Sequence, residues 1–327
     1  MNTETKTLDW IDILKGIGIL TVVYAHIYKD TITDFIYLFH MPLFFFISGY
    51  LSKPTTQYKK YFSKKATHLL LPYFAFLSII LIPFNLVEAH EPAQSVIFRA
   101  LFGGTYLHKW CGVFWFVTTL FLTQQAFNIL ATMLKEKQLC IAIIISLILA
   151  YFNNAYFQRH SFPWSANIVF YSLPFYYCGH LYKRYTIPES FKKYLITAIL
   201  LLAVLILFYY TNSNTIVDLK FAQYGIPFLS FASGVILIHS LIILSKTISI
   251  TTRLAHYLKQ IGIASMFIMY LHQPIQFILL DYFRIPEPAR LMAATLLPLT
   301  AYYFASKSQY LSLVFLGRRT AKQNKLN

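Results

Sequence analysis

The chain has 327 residues, 57% of them apolar and 12% charged, with a mean hydropathy of +0.55 and a net charge of +16. Folding leaves a soluble domain too little interior to hide that much apolar surface, so the composition excludes a water-soluble globule and indicates an integral membrane protein. The positive charge does not make a nucleic-acid binder, because the basic residues sit in short loops between apolar runs, where lipid headgroups are the natural counter-charge.

Taken in chain order, the N-terminal stretch "MNTETKTLDW" lacks a basic leader region, and no small-residue cleavage pattern follows the first apolar run, which is therefore expected to stay as a helix. Apolar runs recur near residues 11–28, 35–52, 69–87, 113–134, 139–157, 166–182, 194–210, 222–244, 261–281 and 290–306. Their lengths approach the roughly 20 residues that cross a bilayer as helix, and they show no strict alternation, so a barrel is not expected. The predicted fold is an all-α polytopic bundle of about ten transmembrane helices. Residues 310–317 either extend the last helix or lie along the interface. The longest connector, "EAHEPAQSVIFRALFGGTYLHKWCG" (88–112), mixes aromatic and charged residues around Gly103-Gly104 and predicts a folded cap or re-entrant segment. No repeat or low-complexity linker interrupts the chain, so one domain over 1–327 is expected. Cys111, Cys140 and Cys178 share no metal or redox spacing and read as small apolar fillers, with no metal site expected.

Twenty of the 28 basic residues fall in the two tails and the loops near 53–68, 135–138, 183–193 and 245–260, whereas the alternate loops hold seven basic and seven acidic residues. Basic residues are retained in the cytoplasm, so both termini are predicted to face inward.

The first run, "IDILKGIGILTVVYAHIY" (11–28), carries three ionisable groups that hydrocarbon should exclude. At about 100° per residue, Lys15 and His26 lie within about 20° of each other after three turns, and Asp12 lies about 40° to the other side of His26. One stripe thus holds all three, while Gly16 and Gly18 leave room for a neighbouring helix. Over a rise of about 16 Å, Lys15 sits near the cytoplasmic boundary and His26 in the outer half. The plainer reading makes Asp12 and Lys15 an interfacial ion pair and His26 a packing residue. Two more histidines weigh against it: His40 in "FHMPLFFFISGYL" (39–51) and His272 in "SMFIMYLHQPI" (265–275). Neutral imidazoles accept protons near pH 7, which acyl transfer onto a hydroxyl requires.

The segments "LDWIDILKGIGILTVVYAHIY", "FIYLFHMPLFFFISGYL", "KKATHLLLPYFAF" (64–76), "VFWFVTTLF" (113–121) and "IGIASMFIMYLHQPI" (261–275), in that order, resemble the acyltransferase-3 family of membrane-bound O-acyltransferases, and within it the fucose 4-O-acetylase-like branch. The resemblance implies about ten helices in the inner (cytoplasmic) membrane, no bound cofactor, acetyl-CoA or another acyl-CoA as co-substrate, and a cell-surface or lipid-linked saccharide as acceptor. Carried over by position, the first-helix histidine of the family falls on His26, the expected general base, with covalent acyl transfer through its imidazole as the variant. Lys15 stands where many relatives have arginine, keeping the charge without the bidentate fork. The basic stretch before "LLLPY" gives Lys64 and Lys65 as donor-binding candidates, with His68 where a further basic residue is expected, and the fourth-helix tryptophan falls on Trp115.

The loop "KPTTQYKKYFSKK" (53–65) has five lysines and no acid, which suits phosphates of coenzyme A as well as a topogenic, lipid-facing cluster. His40 binds or deprotonates the acceptor, or caps its helix; His272 is a second acid/base or a core hydrogen-bonding group. Trp115 and Phe116 are candidates to stack on a sugar face, against a background of 18% aromatic residues. Ser48 is a candidate oxyanion donor, with close helix packing the more ordinary role of the Ser48-Gly49 pair. No GxSxG or HExxH motif supports hydrolase or zinc chemistry. The rival class is a transporter or exporter of a small solute or glycan precursor, in which the buried charges mark a route; no paired broken helices in two equivalent halves support it.

Overall fold

The computed structural model describes residues 9–158, 160–185, 190–211, 217–250 and 252–318. It is 84% helical and has no strand among the described residues. In chain order the helices are α1 (Asp9–Ile27), α2 (Thr31–Tyr37), α3 (His40–Tyr50), α4 (Tyr58–Phe84), α5 (Ala93–Phe102), α6 (Trp115–Met133), α7 (Glu136–Phe157), α8 (Val169–Arg184), α9 (Phe191–Thr211), α10 (Leu229–Ile248), α11 (Thr252–Ile263), α12 (Ser265–Asp281), α13 (Glu287–Lys307) and α14 (Gln309–Leu316).

Among the described residues, seven stretches are long and apolar enough to cross a bilayer: Asp9–Ile27, Thr31–Tyr50, Tyr58–Ala89, Lys109–Met133, Glu136–Phe157, Phe191–Thr211 and Leu229–Ile248. The bent pair α11 and α12 forms either an eighth, broken span or a re-entrant segment. The other two expected spans correspond to α8, only 16 residues long, and to α13, whose 21 residues are less apolar. The ninth predicted run is not one continuous helix, because the chain breaks at Ala264. Hydropathy runs across that break unchanged and so cannot reveal it.

Apolar side chains point outward as well as inward. On α9, Leu195, Ile199 and Leu202 are each about half exposed, and on α7 so are Ile141, Ile144 and Ile148. Water would penalise such surfaces and acyl chains would not, so these helices belong in a bilayer.

The described residues gather into two compact units interleaved along the chain, residues 1–52, 140–158 and 170–265 in one, and 53–139, 159–169 and 266–327 in the other. In the first, α1 and α11 pack backbone against backbone. Any Cβ on Gly16 would strike the carbonyl of Leu258, and one on Gly262 would strike that of Asp12, so only glycine permits the approach. Lys259 Nζ reaches Asp9 Oδ1 at 2.6 Å across the same contact. Elsewhere in this unit Tyr171 and Tyr224 stack with ring centroids 4.2 Å apart, and Phe175 meets Phe231 at 4.6 Å.

The second unit has an aromatic core on α4. Phe76 stacks on Tyr270 of α12 at 4.5 Å, with Phe267 and Phe315 at 4.9 and 5.0 Å. Tyr73 and Phe114 extend the cluster. Rings of this size bury large areas and prefer these edge and offset geometries, which explains how four distant segments hold one register.

The 88–112 connector, termed the cap below, is folded. It contains α5 and two short 3-10 turns, and it is pinned to the same unit by Trp164 Nε1 donating to the Leu101 carbonyl at 2.8 Å and by Thr105 Oγ1 donating to Ser161 Oγ at 2.8 Å.

Candidate functional site

In α1 the Lys15 ammonium donates to Asp12 Oδ1 at 2.9 Å, each side chain about one-quarter exposed. The pair is the i,i+3 contact expected from spacing, and it neutralises two charges that the bilayer would otherwise reject. His26 lies in the last turn of α1 and is half-buried, neither sealed in the core nor fully exposed.

His40 opens α3, is 4% exposed and places Nδ1 3.0 Å from the Ile36 carbonyl; its ring meets Tyr37 edge-on at 4.8 Å. A carbonyl only accepts, so Nδ1 carries the proton and Nε2 is left as the basic nitrogen. His272 repeats the arrangement on α12, fully buried with Nδ1 3.0 Å from the Ile268 carbonyl. Both rings thus make the structural hydrogen bond and keep the tautomer a general base needs. His26 and His40 belong to the first unit, His272 to the second.

The second unit contains a basic cleft of about 640 Å³ lined by Lys60, Ser63, Lys64, Thr67, His68, Gly317 and Arg318. Lysines at 60 and 64 recur one helical turn apart on α4, and Thr67 and His68 continue that face. Gly317 ends α14 at φ 60°, and a Cβ there would collide with the backbone of Thr67 and His68. That glycine lets the chain deliver Arg318 to the α4 face. Lys64, one of the donor-binding candidates, lines this cleft. Its neighbour Lys65 does not line the cleft; it is half-buried with Nζ 5.5 Å from the centre of the Tyr61 ring. At about 100° per residue the lining residues Lys60, Ser63, Lys64, Thr67 and His68 span an arc of about 140° on α4, and Lys65 falls outside it. Lys60 was noted only as one of the five lysines of 53–65, and Arg318 was not noted at all, because nothing local links residue 318 to residue 64.

Trp115 and Phe116, expected as a sugar platform, are 5% and 4% exposed and line none of the clefts described here. The Trp115 carbonyl accepts from Thr118 and Thr119 at 2.9 and 3.0 Å, so this motif packs the start of α6. Ser48 is half-buried beside Gly49, whose missing side chain admits the Tyr176 backbone, in keeping with the packing role. Sequence reasoning also passed over His180, whose Nδ1 lies 2.9 Å from Ser52 Oγ.

Another cleft, of about 510 Å³ in the first unit, is lined by Lys29, Asp30, Thr31, Thr33, Asp34, Tyr37, Asp218 and Gln223. The Tyr24 hydroxyl, then the Thr33 backbone N–H, donate to Asp30 and hold its carboxyl below the usual range, whereas burial pushes Asp218 up. No group of three or more His, Cys, Asp or Glu residues that could hold a metal occurs among the described residues.

An all-helical apolar protein with histidines inside its helices and a basic cleft in its second unit has the outline of a membrane enzyme. The acyltransferase-domain family model matches residues 8–306, nearly the whole chain and both units, and the protein belongs to that family as a membrane acyltransferase. No curated protein and no solved structure matches it.

Proposed function

We propose that the protein moves an acyl group, acetyl in the simplest case, from cytoplasmic acyl-CoA to a hydroxyl of a cell-surface or lipid-linked saccharide, with His26 as general base. The observation that carries this reading is the basic cleft. Lys60, Lys64 and Arg318 set three cations, with two hydroxyls and an imidazole, around a space with no acidic lining residue, which suits the phosphates of coenzyme A. The basic bias of the tails and of loops such as 53–68 supports a cytoplasmic position for this cleft, where acyl-CoA is found, with both termini inside and the protein in the inner membrane.

In the reaction, the His26 imidazole takes the proton of the acceptor hydroxyl as the oxygen attacks the thioester carbonyl. The tetrahedral intermediate collapses with loss of the thiolate, which receives the proton and leaves as the free thiol. One C–O ester bond replaces one C–S thioester bond, and no cofactor is consumed. Lys15, held by Asp12, supports the donor, while His40 and His272 are kept in the tautomer that presents a basic Nε2 for acceptor positioning or a second proton transfer. A bundle surrounded by lipid excludes the water that would otherwise hydrolyse the thioester.

The test is mass analysis of surface polysaccharide from cells producing the wild-type chain or His26→Ala at equal membrane levels. Acyl-modified sugar is expected only with the wild type. Equal modification in both would remove His26 as the base, and none in either would remove the saccharide as acceptor.

A further inference from the structure

The cap between α4 and α6 contains a cleft that the chemistry above does not use. It measures about 430 Å³, within the range of small-ligand sites, and is lined by Glu91, Gln94, Ser95, Phe98, Arg99 and Tyr106. Sixteen consecutive residues thus supply a ring wall, a carboxylate, a guanidinium, a carboxamide and a hydroxyl.

The arrangement is held before any ligand arrives. Phe98 stacks on Phe102 with centroids 4.3 Å apart, and Tyr106 meets Phe98 edge-on at 5.1 Å, so the ring wall is braced from behind. Arg99 and Glu91 form an ion pair whose side chains are only 15% and 28% exposed. The Asn85 carboxamide grips the backbone of Glu91 twice, accepting from its N–H at 3.0 Å and donating to its carbonyl at 3.1 Å. Trp164 and Ser161 fasten the far end of α5 and the turn after it. A loop that only joined two spans would need none of this, and such pre-ordering lowers the cost of binding.

Phe98 is 41% exposed, and an aromatic face left open beside planar hydrogen-bonding groups suits a molecule with one apolar face and a rim of hydroxyls. A pyranose ring has that form: its C–H face lies on an aromatic ring, and its vicinal hydroxyls pair with carboxylate, guanidinium and carboxamide groups. The charged lining cancels, so neither an acidic nor a basic sugar is favoured. We infer that the cap cleft is a saccharide-binding subsite that holds a neutral sugar unit of the acceptor through Phe98, Tyr106 and the Glu91–Arg99 pair. The inference rests on the acceptor reading above and adds where the acceptor is held and its charge class. The sugar platform therefore lies at Phe98 and Tyr106, not at Trp115 and Phe116.

Full-length protein in nanodiscs of neutral phosphatidylcholine, presented with maltose, lactose, cellobiose, N,N′-diacetylchitobiose and glucuronic acid, tests it by saturation-transfer NMR. At least one neutral disaccharide is expected to give a saturable signal, stronger than that of glucuronic acid. Phe98→Ala and, separately, the cleft-filling Ser95→Trp are expected to weaken it at least tenfold. Phe98→Tyr, which keeps the ring, is expected to retain it. Trp fluorescence melting identifies folded samples, and the two disruptive variants act differently enough that one suffices. No saturable signal from any neutral disaccharide, a preference for glucuronic acid, or signals unchanged by both disruptive variants would overturn the subsite. Should binding follow these expectations while glycan acylation proves independent of His26, the proposed catalysis fails and the subsite stands.

Discussion

Two clefts in the same unit show opposite ways of building a site. The one on the first turns of α4 collects Lys60, Lys64 and Arg318 from the two ends of the unit and has no acidic lining residue, an arrangement suited to attracting a polyanion by field with little demand on shape. The one in the cap comes from a single local segment, carries a cancelled charge pair and two braced rings, and selects by shape. The difference teaches that one kind of site is bought with long-range tertiary structure and the other with local order, and each should fail in its own way.

The largest effect expected is at the proposed general base. His26→Ala should lower acyl transfer by about 10²- to 10⁴-fold, the usual contribution of a general base, with unchanged membrane insertion, as measured by transfer rate per inserted protein. Next, Lys64→Ala or Arg318→Ala should raise the KM for acyl-CoA by about tenfold, roughly 1.4 kcal/mol, with little change in kcat. Lys65→Ala should barely move it, and equal effects at residues 64 and 65 would show that the cleft is not the donor site. A smaller contrast is set by salt. Raising ionic strength from about 0.05 to 0.5 M should weaken donor binding several-fold and leave disaccharide binding at the cap unaltered, because screening acts on the field-driven site and not on the neutral one. Titration calorimetry of each ligand separates the two.

The smallest effect concerns the first-unit cleft. Burial raises the folded-state pKa of Asp218 above its unfolded value, so folding is favoured as pH falls through the folded pKa, and the ionised group costs stability at neutral pH. Asp218→Asn, which keeps an acceptor for the Lys220 N–H at 3.1 Å, should raise Tm slightly at pH 7 and lose that advantage near pH 4. Asp30 has the opposite sign: its carboxyl is held down by Tyr24 and Thr33, so its contribution is present above the unfolded pKa and fades as pH falls. A Tm difference for Asp218→Asn that grows toward acid pH would contradict the assignment.

The helical membrane class was legible because apolar runs of span length leave little choice of structure, and the Lys15, His26 and Asp12 stripe was legible because helical spacing alone sets it. The break at Ala264 was not, since it falls inside the apolar run 261–281 and no proline or charge marks it. The burial of Trp115 and Phe116 was not legible for a related reason: where aromatic residues make up 18% of the chain, residue type does not distinguish a platform from a core. Lys64 and Lys65 were separable in principle by their 100° offset on the helix, whereas Arg318 was not, because it arrives from the far end of the chain. The cap was flagged by its length and mixed composition, but its cleft depends on the ring packing of Phe98, Phe102 and Tyr106, which pattern alone does not give.

The pairing of α1 with α11 brings together residues 250 positions apart, as the contact between Asp9 and Lys259 shows. During synthesis the first helix must enter the bilayer and wait, its Gly16 groove empty and the Lys15–Asp12 pair without its final surroundings, until most of the polypeptide has left the ribosome. Assembly of this unit is therefore one of the last events in biogenesis, and chains halted before residue 252 should be recognised as orphans and degraded.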